Sequence, residues 1–175
     1  FVELEKTITN KTKAIIVNSP NNPTGVVFKE ETIKNISEIL NRKQKEYNHP
    51  IYLLSDEPYR ELVYGDILVP YIPKYYNNTI ICYSFSKSLS LPGERIGYII
   101  VSENCVNNKE IYLAVCGAGR SLGFVCAPAL FQYMIPACLG YTSNLEIYKY
   151  NRDLLYKELV SYGYTVIKPD GAFYL

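Results

Sequence analysis

Four short apolar runs punctuate the first hundred residues, and each gives way to polar turn-forming residues. Lys13 to Asn18 holds Ala14-Ile15-Ile16-Val17 and closes on a Pro/Asn/Gly cluster; Ile51 to Leu54, Thr79 to Ser84 and Ile96 to Val101 repeat the pattern. Runs of this length read as strands, and their continuous apolar character suits strands covered on both faces, as in α/β sheets. Between the first two, Glu30 to Tyr47 sets Ile33, Ile36, Leu40 and Tyr47 on one helical face with the charges elsewhere, which predicts an amphipathic crossover helix. No comparable helix separates the later runs, so strand order does not follow from the pattern. The expected class is α/β: a mainly parallel sheet flanked by helices in an α-β-α sandwich, then a long helix leading into a smaller α+β domain.

The second half reads as helical. Ser121 to Leu145 carries no charge, but Gly123, Pro128, Gln132, Pro136 and Gly140 interrupt it. That predicts a buried or subunit-interface helix rather than a membrane span. Asn144 to Tyr162 follows, with Leu145, Tyr148, Leu155 and Leu159 along one stripe and Gly163 as a stop. Tyr164 to Lys168 and Ala172 to Leu175 read as two strands around a Pro169-Asp170-Gly171 turn.

Composition narrows the function classes. The 175 residues balance 18 basic against 17 acidic side chains, with no basic block to draw the chain to nucleic acid or anionic lipid. Cys82, Cys105, Cys116, Cys126 and Cys138 are odd in number and lack CxxC spacing, so reduced buried thiols are expected rather than a disulfide framework or zinc site. His49 is the single histidine, which excludes a histidine triad and a multi-histidine metal centre; before Pro50 it reads as a loop residue. Arg120 is the one charge between Ala114 and Leu145 and wants an anionic partner. A structural salt bridge is the expected one; the bolder alternative is a substrate carboxylate reached across a dimer interface.

Four polar clusters stand at ends of the predicted strands, where active-site groups of α/β sheets gather. Asn18-Ser19-Pro20-Asn21-Asn22-Pro23-Thr24-Gly25 is a turn in its own right, yet the Asn22 amide can donate to an oxyanion. Ser55-Asp56-Glu57-Pro58-Tyr59 carries a carboxylate that could equally cap the next segment. In Ser84-Phe85-Ser86-Lys87 a lysine directly follows an apolar strand between hydroxyls. At such a desolvated end it can serve as a neutral amine able to form a Schiff base. In Pro92-Gly93-Glu94-Arg95-Ile96-Gly97-Tyr98, Arg95 opens a strand, two glycines leave room beside the backbone, and arginine with two serines makes a phosphate cradle.

Jointly and in this order, NNPTG, SDEPY and SFSKSLSLPGERIGY resemble the motif series of the fold-type I pyridoxal-phosphate enzymes, specifically the class I/II aminotransferases related to aspartate aminotransferase. Arg95 follows Lys87 by eight residues, as in that family, and the resemblance runs from TKAIIVNSPNNPTG to PDGAFYL. It implies the pyridoxal-phosphate-dependent transferase fold, with residues 1–143 as the C-terminal part of the cofactor-binding large domain. Residues 144–175 would be the linking helix and the start of the small C-terminal domain. It implies Lys87 as the catalytic lysine bound to pyridoxal 5′-phosphate, Asp56 on the pyridine nitrogen, Tyr59 and Asn22 on the phenolic oxygen, and Ser84, Ser86 and Arg95 on the phosphate. It further implies a cytoplasmic enzyme, homodimeric at full length, moving an amino group from an L-amino acid to a 2-oxo acid. A lyase or synthase of the same fold, or a ligand-sensing domain of a transcription regulator, remains open on these motifs. The family's upstream phosphate loop, a tyrosine lent by the partner subunit and a downstream carboxylate-binding arginine have no counterpart in the 175 residues. The chain is therefore expected to be a fragment, inactive alone.

Overall fold

A computed structural model describes residues 1–175. The elements run α1 (Val2–Thr7), β1 (Ala14–Asn18), α2 (Glu30–Tyr47), β2 (Tyr52–Asp56), a 3-10 turn (Ile72–Lys74), β3 (Thr79–Ser84), α3 (Phe85–Ser88), β4 (Gly97–Val101), α4 (Asn108–Ser121), α5 (Ala129–Cys138) and α6 (Leu145–Ser161). The sheet order is β1-β2-β3-β4, with β1, β2 and β3 parallel and β4 antiparallel to β3. This is the expected α/β class with a mixed, mostly parallel sheet. The antiparallel strand follows from its short connection, since α3 and a turn are too brief for a parallel crossover.

Helix α2 spans the residues its periodicity predicts. Glu30 and Glu31 face the positive end of its dipole, and Asn48 ends it in a left-handed cap at φ 55° with its N–H on the Gln44 carbonyl. Ile33, Ile36, Ile39 and Leu40 bury against Val17, Ile51, Leu53, Ile72 and Tyr76 to form the principal core. A second, smaller cluster of Tyr83, Phe85 and Ile96 sits by β4, with Phe131 and Ile135 of α5 partly packed on it.

Three expectations change. The strands are not all covered: Ile16 of β1 is 72% exposed, and Tyr98, Ile99 and Ile100 of β4 are exposed as well. The uncharged tract divides into the end of α4, a turn and α5, and neither helix buries a residue, because no further layer covers them. No helix is long and apolar enough to cross a membrane. Finally, neither Tyr164 to Lys168 nor Ala172 to Leu175 is a strand. The first has no neighbouring strand, while Gly171 makes an isolated bridge to Val63 and its neighbours bond to loop carbonyls: Asp170 and Gly171 to Gly25, and Ala172 to Leu62.

Of the five unpaired cysteines only Cys105 is buried and Cys126 is exposed, since Cys116 and Cys138 ride on the uncovered helices and Cys126 on the turn between them. Arg120 is exposed and enters none of the chain's ion pairs, so the expected structural salt bridge is not made within it. His49 is the loop residue expected, its ring nitrogens each 2.9 Å from a carbonyl oxygen, of Pro50 and of Asn10.

Candidate active site

Because β1, β2 and β3 run parallel, their carboxyl ends emerge together. Asn18 and Asp56 face each other in register, and Ser84 ends the third strand two residues beyond the Cys82 that pairs with Asp56. The chain turns at once into α3, where the Ser84 hydroxyl accepts the Ser86 backbone N–H at 3.1 Å as an N-cap. A single helical turn cannot persist alone. Its far end is held by Ser143, whose hydroxyl donates to the Lys87 carbonyl at 2.8 Å and whose N–H donates to the Ser88 carbonyl at 2.7 Å. Its inner face is held by buried Ser88, 2.7 Å from the Tyr83 hydroxyl. Tyr83 gives its own proton to Glu61, so Ser88 is the donor of that pair.

Lys87 thus stands on a braced turn. Its amine lies 5.4 Å from the centre of the Phe173 ring and 5.9 Å from that of Tyr59, and no carboxylate pairs with it. Asp56 is half-buried and likewise has no cation. Burial lifts its carboxyl above the usual range, and the Asn18 amide, donating to Oδ2 at 3.0 Å, opposes that lift. Tyr59 is 4% exposed, and its hydroxyl lies 2.7 Å from that of Tyr174. Burial and then the Tyr174 hydroxyl push this phenol far up, while the Asn22 side chain beside it acts in the opposite sense.

Asn22 sits on the exposed β1 loop, its backbone N–H donating to Asn18 Oδ1 at 2.7 Å. Gly25 ends that turn at φ +67°, and a Cβ there would strike the Pro169 ring and the Gly171 carbonyl. Segment 169–172 is thereby pressed against the loop, which brings Phe173 and Tyr174 to Lys87 and Tyr59.

The predicted phosphate cradle is only partly assembled. Ser84 and Ser86 hydroxyls meet at 2.6 Å, but Arg95 is exposed and donates to the Pro92 carbonyl at 2.6 Å. Arg95 does not open β4; it holds a left-handed backbone at φ 53°, two residues before the strand. Gly97 leaves no room for a ligand, because the missing side chain is what lets β4 lie against the Tyr83 carbonyl. Asn18, Ser143, Phe173 and Tyr174 join the site only in the folded chain: in the sequence Asn18 lies inside a turn-forming cluster, and Phe173 and Tyr174 read as apolar strand positions.

A site of this kind can capture a carbonyl with the Lys87 amine, oppose a protonated ring nitrogen with Asp56 and donate to an oxygen from Tyr59 or Asn22. The family described as aminotransferase class I and II matches residues 1–175. A probable aspartate aminotransferase of Methanocaldococcus jannaschii is 38% identical over 99% of this chain and 46% of its own length. The crystal structure of an aminotransferase from Eubacterium rectale superposes with a TM-score of 0.96 at 57% identity, over 98% of this chain and 43% of that one. The aspartate aminotransferase of Thermotoga maritima gives a TM-score of 0.79 at 29% identity, over 98% of this chain and 44% of that one. The chain therefore spans less than half the length of these relatives. On the family match and this likeness, the chain belongs to the class I and II aminotransferases.

Proposed function

We propose that the protein is a pyridoxal-phosphate-dependent aminotransferase that moves the amino group of an L-amino acid to a 2-oxo acid. We further propose that Asn22, Asp56, Tyr59, Ser84, Ser86, Lys87 and Arg95 form its cofactor site and that Lys87 is its catalytic residue. The observation that carries the reading is the shared edge of the sheet at which Asp56 and Lys87 stand, each without an ionic partner of its own. A carboxylate raised by burial and lacking a cation fits a protonated pyridine nitrogen, and an amine among aromatic faces fits an aldehyde. The paired serine hydroxyls fit phosphate oxygens, with Arg95 close in sequence to complete the charge.

When bound, pyridoxal phosphate supplies an aldehyde that captures amino groups and a ring that accepts electrons. Asp56 keeps the ring nitrogen protonated. Tyr59 and Asn22 donate to the ring oxygen, and Tyr59 is oriented for this by Tyr174. Lys87 Nζ takes the proton from the substrate Cα as general base. Phe173 presents its ring to the amine at 5.4 Å. Residues 1–143 form the later part of the cofactor-binding domain on this reading, and residues 144–175 open a smaller domain. The chain spans less than half the length of its relatives, so the 175 residues alone are proposed to bind the cofactor without turning over, and the whole protein is proposed to be a homodimer.

The test is to incubate the chain with pyridoxal 5′-phosphate, reduce with borohydride and map the adduct by peptide mass spectrometry. Modification at Lys87, absent from Lys87→Ala, is expected; labelling spread over the other lysines with none at Lys87 would overturn the assignment. In the whole protein, ¹⁵N from labelled L-aspartate should appear in glutamate when 2-oxoglutarate is supplied. Release of pyruvate, ammonia and sulfide from L-cysteine, with no ¹⁵N passed from aspartate to glutamate, would instead assign a lyase.

A further inference from the structure

One side chain touches both strand-end loops of the site. Asn18 Oδ1 accepts the Asn22 backbone N–H at 2.7 Å. A backbone N–H can only donate, so the amide orientation is settled and Nδ2 must face Asp56. There it donates at 3.0 Å to Asp56 Oδ2 and at 3.0 Å to the Asp56 carbonyl oxygen. Both protons of the amide are therefore engaged, and a flip would break four hydrogen bonds together, one of them the Asn21 contact. Asn21 adds its own amide, 3.3 Å from the Asn18 carbonyl oxygen and 3.4 Å from Oδ1. With Oδ2 occupied, Oδ1 of Asp56 is the oxygen left for a ligand.

We propose that Asn18 is a positioning residue of the cofactor site, setting Asp56 for the ring nitrogen and Asn22 for the ring oxygen from a single amide. The inference rests on the pyridoxal-phosphate reading above. No other common side chain of this length offers both functions: aspartate keeps the acceptor and loses the donor, and alanine loses both. The remaining ionisable groups around Asp56 are the Cys82 thiol on β3, opposite in register, and the Tyr59 phenol. Glu57, next in sequence, is already held by Ser55 and Arg60. The two loops thus share one registration device, and a change in Asn18 is felt at both ends of the cofactor ring.

Asn18→Asp separates this role from a merely structural tie. It retains an oxygen for the Asn22 N–H and puts a carboxylate where Asp56 now finds a donor. In a ¹³C-carboxyl NMR titration its Asp56 midpoint should rise by about one pH unit or more over wild type, with the Asn22 amide still hydrogen-bonded and as protected from solvent exchange as in wild type. Asn18→Ala should lose that protection and move the Asp56 midpoint as well. Affinity for pyridoxal 5′-phosphate should fall about tenfold or more in Asn18→Asp, with the borohydride-trapped adduct still on Lys87. An Asp56 midpoint equal to wild type, or weakened binding with that midpoint unchanged, would overturn the proposal. Should Asn18→Asp not fold, wild type decides: the Asn18 side-chain NH₂ protons must titrate with the Asp56 carboxyl carbon and shift when the cofactor is added, and silence in either overturns it. If the whole wild-type protein forms no Lys87 adduct, the cofactor reading itself falls and takes this inference with it, a failure recognisable from wild type alone.

Discussion

The hydroxyls of Tyr59 and Tyr174, 115 residues apart in the chain, meet at 2.7 Å. Around that contact Phe173 lies edge-on to Tyr59 at 5.6 Å and stacks on Tyr148 of α6 at 5.6 Å. The site's phenol is thus positioned by the segment that follows α6. A double-mutant cycle of Tyr59→Phe and Tyr174→Phe should return a coupling of about 0.5–1.5 kcal/mol in chemical denaturation. Strict additivity would mean that the two hydroxyls do not bond in solution.

Gly25 and Gly65 both adopt positive φ, at +67° and +70°, but only Gly25 is crowded. Gly65→Ala should lose about 1 kcal/mol from backbone strain alone. Gly25→Ala adds a collision with Pro169 and should lose about 2–4 kcal/mol. Equal losses in thermal melts would show that segment 169–172 does not press on the loop.

Asp56 sets stability against function. Burial raises its carboxyl in the folded chain above its unfolded value, so the folded state binds the extra proton. Its favourable contribution is complete below the ordinary value of 3.8 and is lost as pH rises through the folded value. Asp56→Asn should therefore melt higher than wild type at pH 7, with the gain vanishing as pH falls below that ordinary value. The same variant should bind pyridoxal phosphate more weakly. A wild-type chain that melts higher than the variant at pH 7 would contradict the direction.

Leu40 of α2 is fully buried in the principal core. Leu40→Ala should lose about 2–5 kcal/mol by urea denaturation. A loss below about 1 kcal/mol would mean that α2 is not the helix covering the sheet.

Arg120 is exposed and unpaired within the chain. In the whole protein, Arg120→Ala should reduce the preference for L-aspartate over L-alanine about tenfold if this guanidinium receives a substrate carboxylate across a subunit interface. An unchanged ratio of the two kcat/KM values removes Arg120 from substrate choice.

The elements that were legible in the sequence are those whose burial is settled locally. Helix α2 announces itself because Ile33, Ile36, Leu40 and Tyr47 recur at helical spacing. The first three strands announce themselves by apolar runs. What escaped is non-local. Nothing in Tyr164 to Lys168 says that no strand lies beside it, and nothing in PDGAFYL says that it docks on Gly25 and Leu62. Likewise the motif strings single out Asn22, Asp56 and Lys87, but the amide of Asn18 and the hydroxyl of Ser143 gain their meaning only when β1 meets β2 and the segment between α5 and α6 returns to α3.

The sheet's two outer strands, AIIVN and GYIIV, have a consequence for the chain's behaviour in concentrated solution. Neither carries the lysine, proline or bulge with which exposed edges are commonly shielded, and both present apolar side chains beside free backbone donors and acceptors. For the 175 residues, association through these two rims should grow with concentration and be little relieved by salt, because neither strand carries a charge.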